Sequence, residues 1–207
     1  MPNNQTTTWS KFRWNLYAPV YDFLFRYLQV KRHKAFAQMK FKPRAKILIV
    51  GCGTGLDLNH LPKDVEVTAL DASSEMLTRF EKRASMLNIR ANVYLQDAES
   101  PYLTGQGFDY VFLHYILAVC PNPRSVLQNA KTKLNEDGIL SIMDKFAPDG
   151  VPVGNLRKAL NPISKALATS IILRFADLEL FDNFVLLSDT PVAWKGNIRH
   201  ILLKKIA

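Results

Sequence analysis

One stretch constrains this chain more than any other. The apolar run Lys46-Ile-Leu-Ile-Val50 passes directly into Gly51-Cys-Gly-Thr-Gly55, and an acid, Asp71, closes the next run, Glu66-Val-Thr-Ala-Leu70. A short apolar run of this kind is a strand buried on both faces. Glycines after it permit positive φ and let a ligand reach the backbone with no Cβ in the way. The loop offers amides and the start of a helix to a polar group. Asp71 ends the neighbouring strand, where a carboxylate can accept from a pair of sugar hydroxyls. The plain alternative is that the glycines only make a tight turn.

The rest of the chain alternates strands and helices, which predicts a parallel sheet covered on both sides. Helical spacing runs over residues 12–40, with a break at Pro19. A helix start follows Gly55, and Ser73–Leu87 forms the next helix, capped by Ser73 or Ser74. Strands are expected at Asn92–Gln96 and Phe108–His114, then a helix over Pro123–Leu134. Asp137-Gly138 turns the chain into a fifth strand, Ile139–Met143. Residues 152–180 read as one or two helices interrupted at Pro162. Phe184–Leu187 and Ile198–Lys204 are two last strands joined by a loop with Pro191 and Gly196, too short for a helical crossover and therefore antiparallel.

At 207 residues the chain has the size of one domain. Its two cysteines, Cys52 and Cys120, are far apart, which argues against a disulfide framework or a zinc site and fits a reducing cytosol. There is no apolar leader at the N-terminus and no apolar stretch of membrane-spanning length, so a cytoplasmic protein is expected, with the inner membrane face as a peripheral location. Charge is uneven. Residues 1–45 carry nine Lys/Arg against one acid, residues 46–144 nine against twelve, and residues 145–207 nine against five. Basic ends suggest a face that meets anions, lipid headgroups or nucleic acid, against the plainer reading of a solvated surface. Arg26, Lys31, Arg32, Lys34, Lys40, Lys42 and Arg44 accompany Phe23, Leu24, Phe25, Tyr27, Leu28 and Phe36, a mixture suited to docking on an anionic bilayer. The alternative is that the apolar side covers the sheet.

Among residues able to do chemistry, His114 is expected at the carboxyl end of the fourth strand, where open α/β sheets bind ligands. It can take a proton or orient an acceptor, as can Tyr115; a buried structural histidine is the alternative. Tyr17 and Tyr21, at i and i+4, can cap a pocket or serve as core aromatics. His33, His60 and His200 have no comparable placement and read as solvated or structural. Cys52 lies inside the glycine turn, where its thiol packs, and Cys120 reads as core. There is no Ser-His-Asp set and no HExxH, so neither a covalent intermediate nor a metal is expected.

These motifs together resemble the class I, seven-stranded S-adenosylmethionine-dependent methyltransferases over roughly residues 12–145. The spacing GxGxG, with Leu56 where a dinucleotide fingerprint has its third glycine, fits that donor better than NAD. Ile47–Gly55 resembles the family's first motif, which contacts the methionine part of the cofactor. Val67–Asp71 with Ala72-Ser-Ser-Glu-Met76 resembles the second, and Gln96-Asp97-Ala98-Glu99 the adenine-binding segment. Phe108–His114 resembles the fourth-strand motif and Leu134–Leu140 the turn into strand five. The resemblance implies cofactor contacts at Gly51, Cys52, Gly53, Gly55, Asp71, Ala72, Met76, Asp97, Ala98 and His114, with His114, Tyr17 and Tyr21 toward the acceptor. It implies an α/β, Rossmann-like, doubly wound seven-stranded sheet, mostly parallel with an antiparallel C-terminal hairpin. A single domain over 1–207 is expected: an N-terminal helical substrate or lid segment (1–45), a cofactor-binding core (46–145), and a helical insert with terminal hairpin (146–207). One position departs. The family has Asp or Glu two residues before the first glycine, and this chain has Ile49.

Within the family, Tyr17-Ala-Pro-Val-Tyr21-Asp22 resembles the N-terminal helix of small bacterial phosphatidylethanolamine N-methyltransferases and of quinone-biosynthesis methyltransferases. The first expectation is therefore methylation of a phosphatidylethanolamine-type amine, releasing S-adenosylhomocysteine. The alternatives are C- or O-methylation of a quinone precursor, S-methylation of a thiol, or a binding module without turnover. Nucleic acid is not the expected partner, since the Asp/Asn/Ser-Pro-Pro-aromatic signature of base-amine methylation is absent. The acceptor is a small molecule or lipid headgroup. Oligomeric state is not legible.

Overall fold

The computed structural model describes residues 32–147, 172–178, 183–193 and 196–206. Among them are seven strands: β1 (Lys46–Val50), β2 (Glu66–Asp71), β3 (Arg90–Leu95), β4 (Phe108–His114), β5 (Leu134–Lys145), β6 (Phe184–Ala193) and β7 (Ile198–Lys205). They form one sheet in the order β3-β2-β1-β4-β5-β7-β6. The fold is α/β and Rossmann-like, mostly parallel, with antiparallel C-terminal strands. The chain divides into two compact units, Met1–Ala98 and Glu99–Ala207.

In the first unit β1 pairs in parallel with β2, and β2 with β3. Only Lys46 of β1 is exposed, the burial expected of an uninterrupted apolar run. After the glycine loop the chain makes a 3-10 helix, Leu56–His60, rather than a full α-helix. Helix α1 (Ser74–Met86) starts where Ser73 accepts a hydrogen bond from the Met76 amide through its side chain, at 3.2 Å. That bond satisfies one of the amides every helix leaves open at its start. The helix buries Met76, Leu77, Phe80 and Ala84.

Phe80 also sets a limit on the glycine loop. Gly55 has φ +80°, and a Cβ built there would lie 2.9 Å from Phe80 Cδ2 and 3.1 Å from Leu58 Cδ1. Phe80 is fully buried and has no easy retreat. Gly55→Ala therefore combines left-handed strain with overpacking, and we expect a loss of about 2–4 kcal/mol. Chemical denaturation measures this; a loss below about 1 kcal/mol would mean the loop and α1 yield readily.

In the second unit β4 pairs in parallel with β5, β5 antiparallel with β7, and β7 antiparallel with β6, as expected of the terminal hairpin. Helix α2 (Pro123–Lys133) is capped by the Asn122 side chain, which accepts from the Ser125 amide, and has Pro123 in its first turn. Two sequence readings need correction. Asp137-Gly138 does not precede the fifth strand. It lies within β5, where pairing jumps from Phe108↔Leu134 to Tyr110↔Ile139 and the extra residues bulge out with Asp137 at φ 60°. Pro191 lies inside β6, not in a loop. β6 is last in the strand order, so a residue without an N–H costs no ladder bond on its outer side, and the pairing shifts beside it.

Strand three begins earlier than read, at Arg90, and ends at Leu95. Residues 32–36 are helical, whereas 37–40, expected in the same helix, form a turn and irregular chain; residues up to 31, and residues 148–171 and 179–182 of the expected insert, lie outside the described residues. Among the described residues, no helix is long and apolar enough to cross a membrane.

Candidate functional site

The glycine loop is held from two sides. The amides of Gly51 and Cys52 both donate to the Leu70 carbonyl, at 2.8 and 3.0 Å, and the Gly55 amide donates back to the Cys52 carbonyl. Gly51, Gly53 and Gly55 all have positive φ. The Asp71 carboxylate accepts from the Gly53 amide through one oxygen, at 2.9 Å, and from the Ser73 amide through the other, at 3.0 Å. One side chain thus fixes both the loop and the start of α1. A carboxylate has about four acceptor sites. Beside its bonds to these amides the carboxylate retains acceptor capacity for a further donor. Burial pushes the Asp71 pKa up, and the amides of Gly53, Ser73 and Ala72 counter it.

The adenine-binding candidates lie close in sequence and pairing. Asp71 registers on Leu95, and the Gln96 amide donates to the Asp71 carbonyl at 2.9 Å. Asp97 and Ala98 follow at once; Asp97 is partly buried and Ala98 is buried. Ala72 is partly buried beside Asp71, while the Met76 side chain is part of the core. Burial raises the Cys52 thiol well above its ordinary pKa, with the Asp71 and Asp57 charges adding to it. It is a packed thiol and not a nucleophile. Ile49 is 2% exposed, so the departure from the family pattern puts a core side chain where a carboxylate would steady an ammonium. The residues present suit the adenosyl half of the donor well. At its amino-acid end, among the described residues, the loop offers its backbone groups.

Sequence reasoning missed a buried ion pair. Arg32 Nε donates to Asp57 Oδ1 at 2.7 Å, with the two side chains 6% and 7% exposed. It joins residues 32–36 to the 3-10 helix that leaves the glycine loop. Arg32 was grouped with an exposed basic face; the structure removes it from that face and leaves Lys34, Lys40, Lys42 and Arg44 exposed. Tyr17 and Tyr21 lie outside the described residues.

In the second unit His114 ends β4 as expected and is buried. Its ring stacks on Phe112, and its Nε2 lies 2.9 Å from Ser141 Oγ. Ser141 and His200, neither of them a candidate in the sequence, are fully buried, and Ser141 Oγ is also 2.9 Å from His200 Nε2. Tyr115 turns the chain at φ 61°, its amide donating to the Met143 carbonyl.

Asp144 is also fully buried. It accepts from the Ala118 amide at 3.0 Å and from its neighbour Lys145 at 2.7 Å. Burial still raises its pKa to about 6, those amides and the Lys145 charge opposing the rise. The folded state therefore holds this proton above the pH at which an unfolded aspartate, near about 3.9, releases it. Stability from this group is full below about pH 4 and falls as pH rises to about 6, by about 3 kcal/mol. Asp144→Asn, neutral throughout, should lack that step whatever its absolute stability. Urea denaturation from pH 4 to 7.5 checks this, and equal slopes for both proteins would refute it.

A strand, a glycine turn and an acid at the end of the neighbouring strand, bonded to the turn, lie on a β3-β2-β1-β4-β5-β7-β6 sheet of the Rossmann-like type. Residues 47–138 match the family model described as "Methyltransferase domain". The chain is 29% identical to a phosphatidylethanolamine N-methyltransferase of Cereibacter sphaeroides over 143 residues, 68% of this chain and 70% of that protein. It is 26% identical to the human thiol S-methyltransferase TMT1B over 129 residues, 59% of this chain, and spans about half, 53%, of that relative. In fold it is similar to a chain from the complex between the Haloferax volcanii Trm112 methyltransferase activator and a methyltransferase. The TM-score there is 0.74 at 13% identity, covering 94% of this chain and 98% of that one. The domain match and these similarities support a class I S-adenosylmethionine-dependent methyltransferase.

Proposed function

We propose that the chain transfers a methyl group from S-adenosylmethionine to the amine of a lipid headgroup, with phosphatidylethanolamine as the leading acceptor. The observation that carries this is the similarity to the Cereibacter sphaeroides enzyme, which runs along about two thirds of both proteins. Exposed Lys34, Lys40, Lys42 and Arg44 support it, since basic side chains favour approach to an anionic bilayer. The bound donor supplies a methyl group already activated on a sulfonium. The protein's task is then to orient donor and acceptor and to exclude water. In this reading Asp71 holds the ribose, the Gly51–Gly55 backbone holds the amino-acid end, and Asp97 with Ala98 meets the adenine. His114 receives or orients the acceptor's proton, because methylation of an amine, thiol or hydroxyl requires one to leave. Tyr17 and Tyr21 belong to the same proposal as residues toward the acceptor.

The similarity to a thiol S-methyltransferase supports a second acceptor class. Labelled methyl donor, incubated in parallel with phosphatidylethanolamine vesicles, small thiols and a quinone precursor, separates them. Label in the lipid amine is expected. Label confined to a thiol or quinone would replace the acceptor, and no product despite donor binding would leave a cofactor-binding module.

A further inference from the structure

The loop after β4 repeats the plan of the glycine loop after β1. Val50, the last residue of β1, registers on Leu70, and Asp71 follows Leu70. His114, the last residue of β4, registers on Met143, and Asp144 follows Met143. The first residue beyond each strand has positive φ, Gly51 at 65° and Tyr115 at 61°. Each donates its amide to the carbonyl just before the acid, Gly51 to Leu70 at 2.8 Å and Tyr115 to Met143 at 2.7 Å. The acid then accepts from an amide further along the loop. Asp71 takes that of Gly53, at 2.9 Å, and Asp144 that of Ala118, at 3.0 Å. The Leu117 amide also steadies the Asp144 charge.

The two loops differ in what they present. The first bares its backbone at Gly51, Gly53 and Gly55. The second carries side chains, with Tyr115, Ile116 and Val119 partly buried and Leu117 and Ala118 buried. A tyrosine at positive φ is strained where a glycine is not, so the surrounding structure must hold it there. Asp144 is 0% exposed, and burial raises its pKa to about 6. Near neutral pH the fold therefore carries an ionised group that its surroundings disfavour. Stability alone favours a neutral side chain at such a place. Fixing loop amides favours the charge, because an ionised acceptor binds N–H groups more strongly than a neutral one.

We propose that Tyr115–Cys120 forms a wall of the methyl-acceptor site and that Asp144 is the positioning residue that holds it. This rests on the reading that puts the acceptor at the carboxyl end of β4, where open α/β sheets bind ligands. The partly buried Tyr115, Ile116 and Val119 give that wall a mainly apolar surface, suited to the lipophilic part of an acceptor. Asp144 acts through the backbone of the loop and takes no part in the transfer itself.

Asp144→Asn in the full chain tests this, since the amide matches the carboxylate in size but turns one acceptor into a donor. Hydrogen exchange followed by nuclear magnetic resonance should show the amides of Leu117 and Ala118 exchanging roughly tenfold faster or more, with that of Phe112 in β4 unchanged. Calorimetry should find S-adenosylhomocysteine bound as tightly as by the unaltered chain. Turnover is measured with labelled donor and phosphatidylethanolamine vesicles, or with a small thiol or quinone precursor where that takes the label. There kcat should fall roughly tenfold or more with KM for the donor unchanged. Asp144→Ser, smaller and neutral, carries the same expectations should the asparagine variant fail to fold. Unchanged exchange at Leu117 and Ala118 overturns the proposal. So does faster exchange with kcat unaltered, which leaves Asp144 a structural residue, or a fall in donor affinity that matches the fall in kcat. No label from the unaltered chain in any of the three acceptors would instead sink the transfer reading, and the proposal with it.

Discussion

Asp71→Ala should weaken binding of S-adenosylhomocysteine by about 10²–10⁴-fold, the largest functional effect expected of any single change. The carboxylate has two duties. Toward the protein it accepts from the amides of Gly53 and Ser73, fixing the loop and the N-terminus of α1. In the proposed reading its remaining acceptor capacity holds the ribose hydroxyls of the donor. A hydrogen bond to a charged group contributes about 1.5–3 kcal/mol, and losing two of them corresponds to the stated range. Asp71→Asn should fare little better, because its amide nitrogen would point a donor at one of the two backbone donors. Calorimetric titration measures both variants. Affinity within about threefold of the unaltered chain would mean that the ribose is held elsewhere.

Arg32→Ala should destabilise the protein by about 3–5 kcal/mol, the largest stability effect expected. The lost energy is not mainly the attraction between Arg32 and Asp57. It is the charge on Asp57, buried in the short helix after the glycine loop, once the Arg32 guanidinium is removed from it. Replacing both residues by methionine removes both charges together and should return stability to within about 1–2 kcal/mol of the original. Arg32→Lys should restore only part, since an ammonium lacks the flat fork that reaches Asp57 Oδ1. Denaturation of the three variants is the measurement. A double variant as unstable as Arg32→Ala would show that packing, not uncompensated charge, sets the cost.

Much of the first unit was legible because its signals are local. The apolar run 46–50, the glycine spacing, Asp71 and the Ser73 cap are each specified within a few residues, and the structure keeps them in the expected places. β4, largely apolar but for Asp109 and His114, was likewise read to the residue. The antiparallel end of the sheet was legible from loop length alone. What stayed hidden depends on partners distant in the chain. Arg32 is 25 residues from Asp57, and nothing near it distinguishes a buried guanidinium from a surface one. Ser141 looks like an ordinary break in an aliphatic strand until β4 and β7 bring His114 and His200, 27 and 59 residues away, to either side of it. Pro191 argued for a loop, and only its edge position makes it tolerable in a strand. Asp137-Gly138 signalled a turn correctly, but whether a turn precedes a strand or bulges from it is decided by the neighbouring strand.

The Gly51–Gly55 loop and the Asp71 carboxylate are the proposed seat of the methyl donor. A crystal structure of the chain with S-adenosylhomocysteine tests that directly. Both ribose hydroxyls are predicted within hydrogen-bond distance of the Asp71 oxygens, with the amino-acid end of the ligand against the loop backbone. A ligand found away from this loop, or bound there with its ribose turned from Asp71, would contradict it.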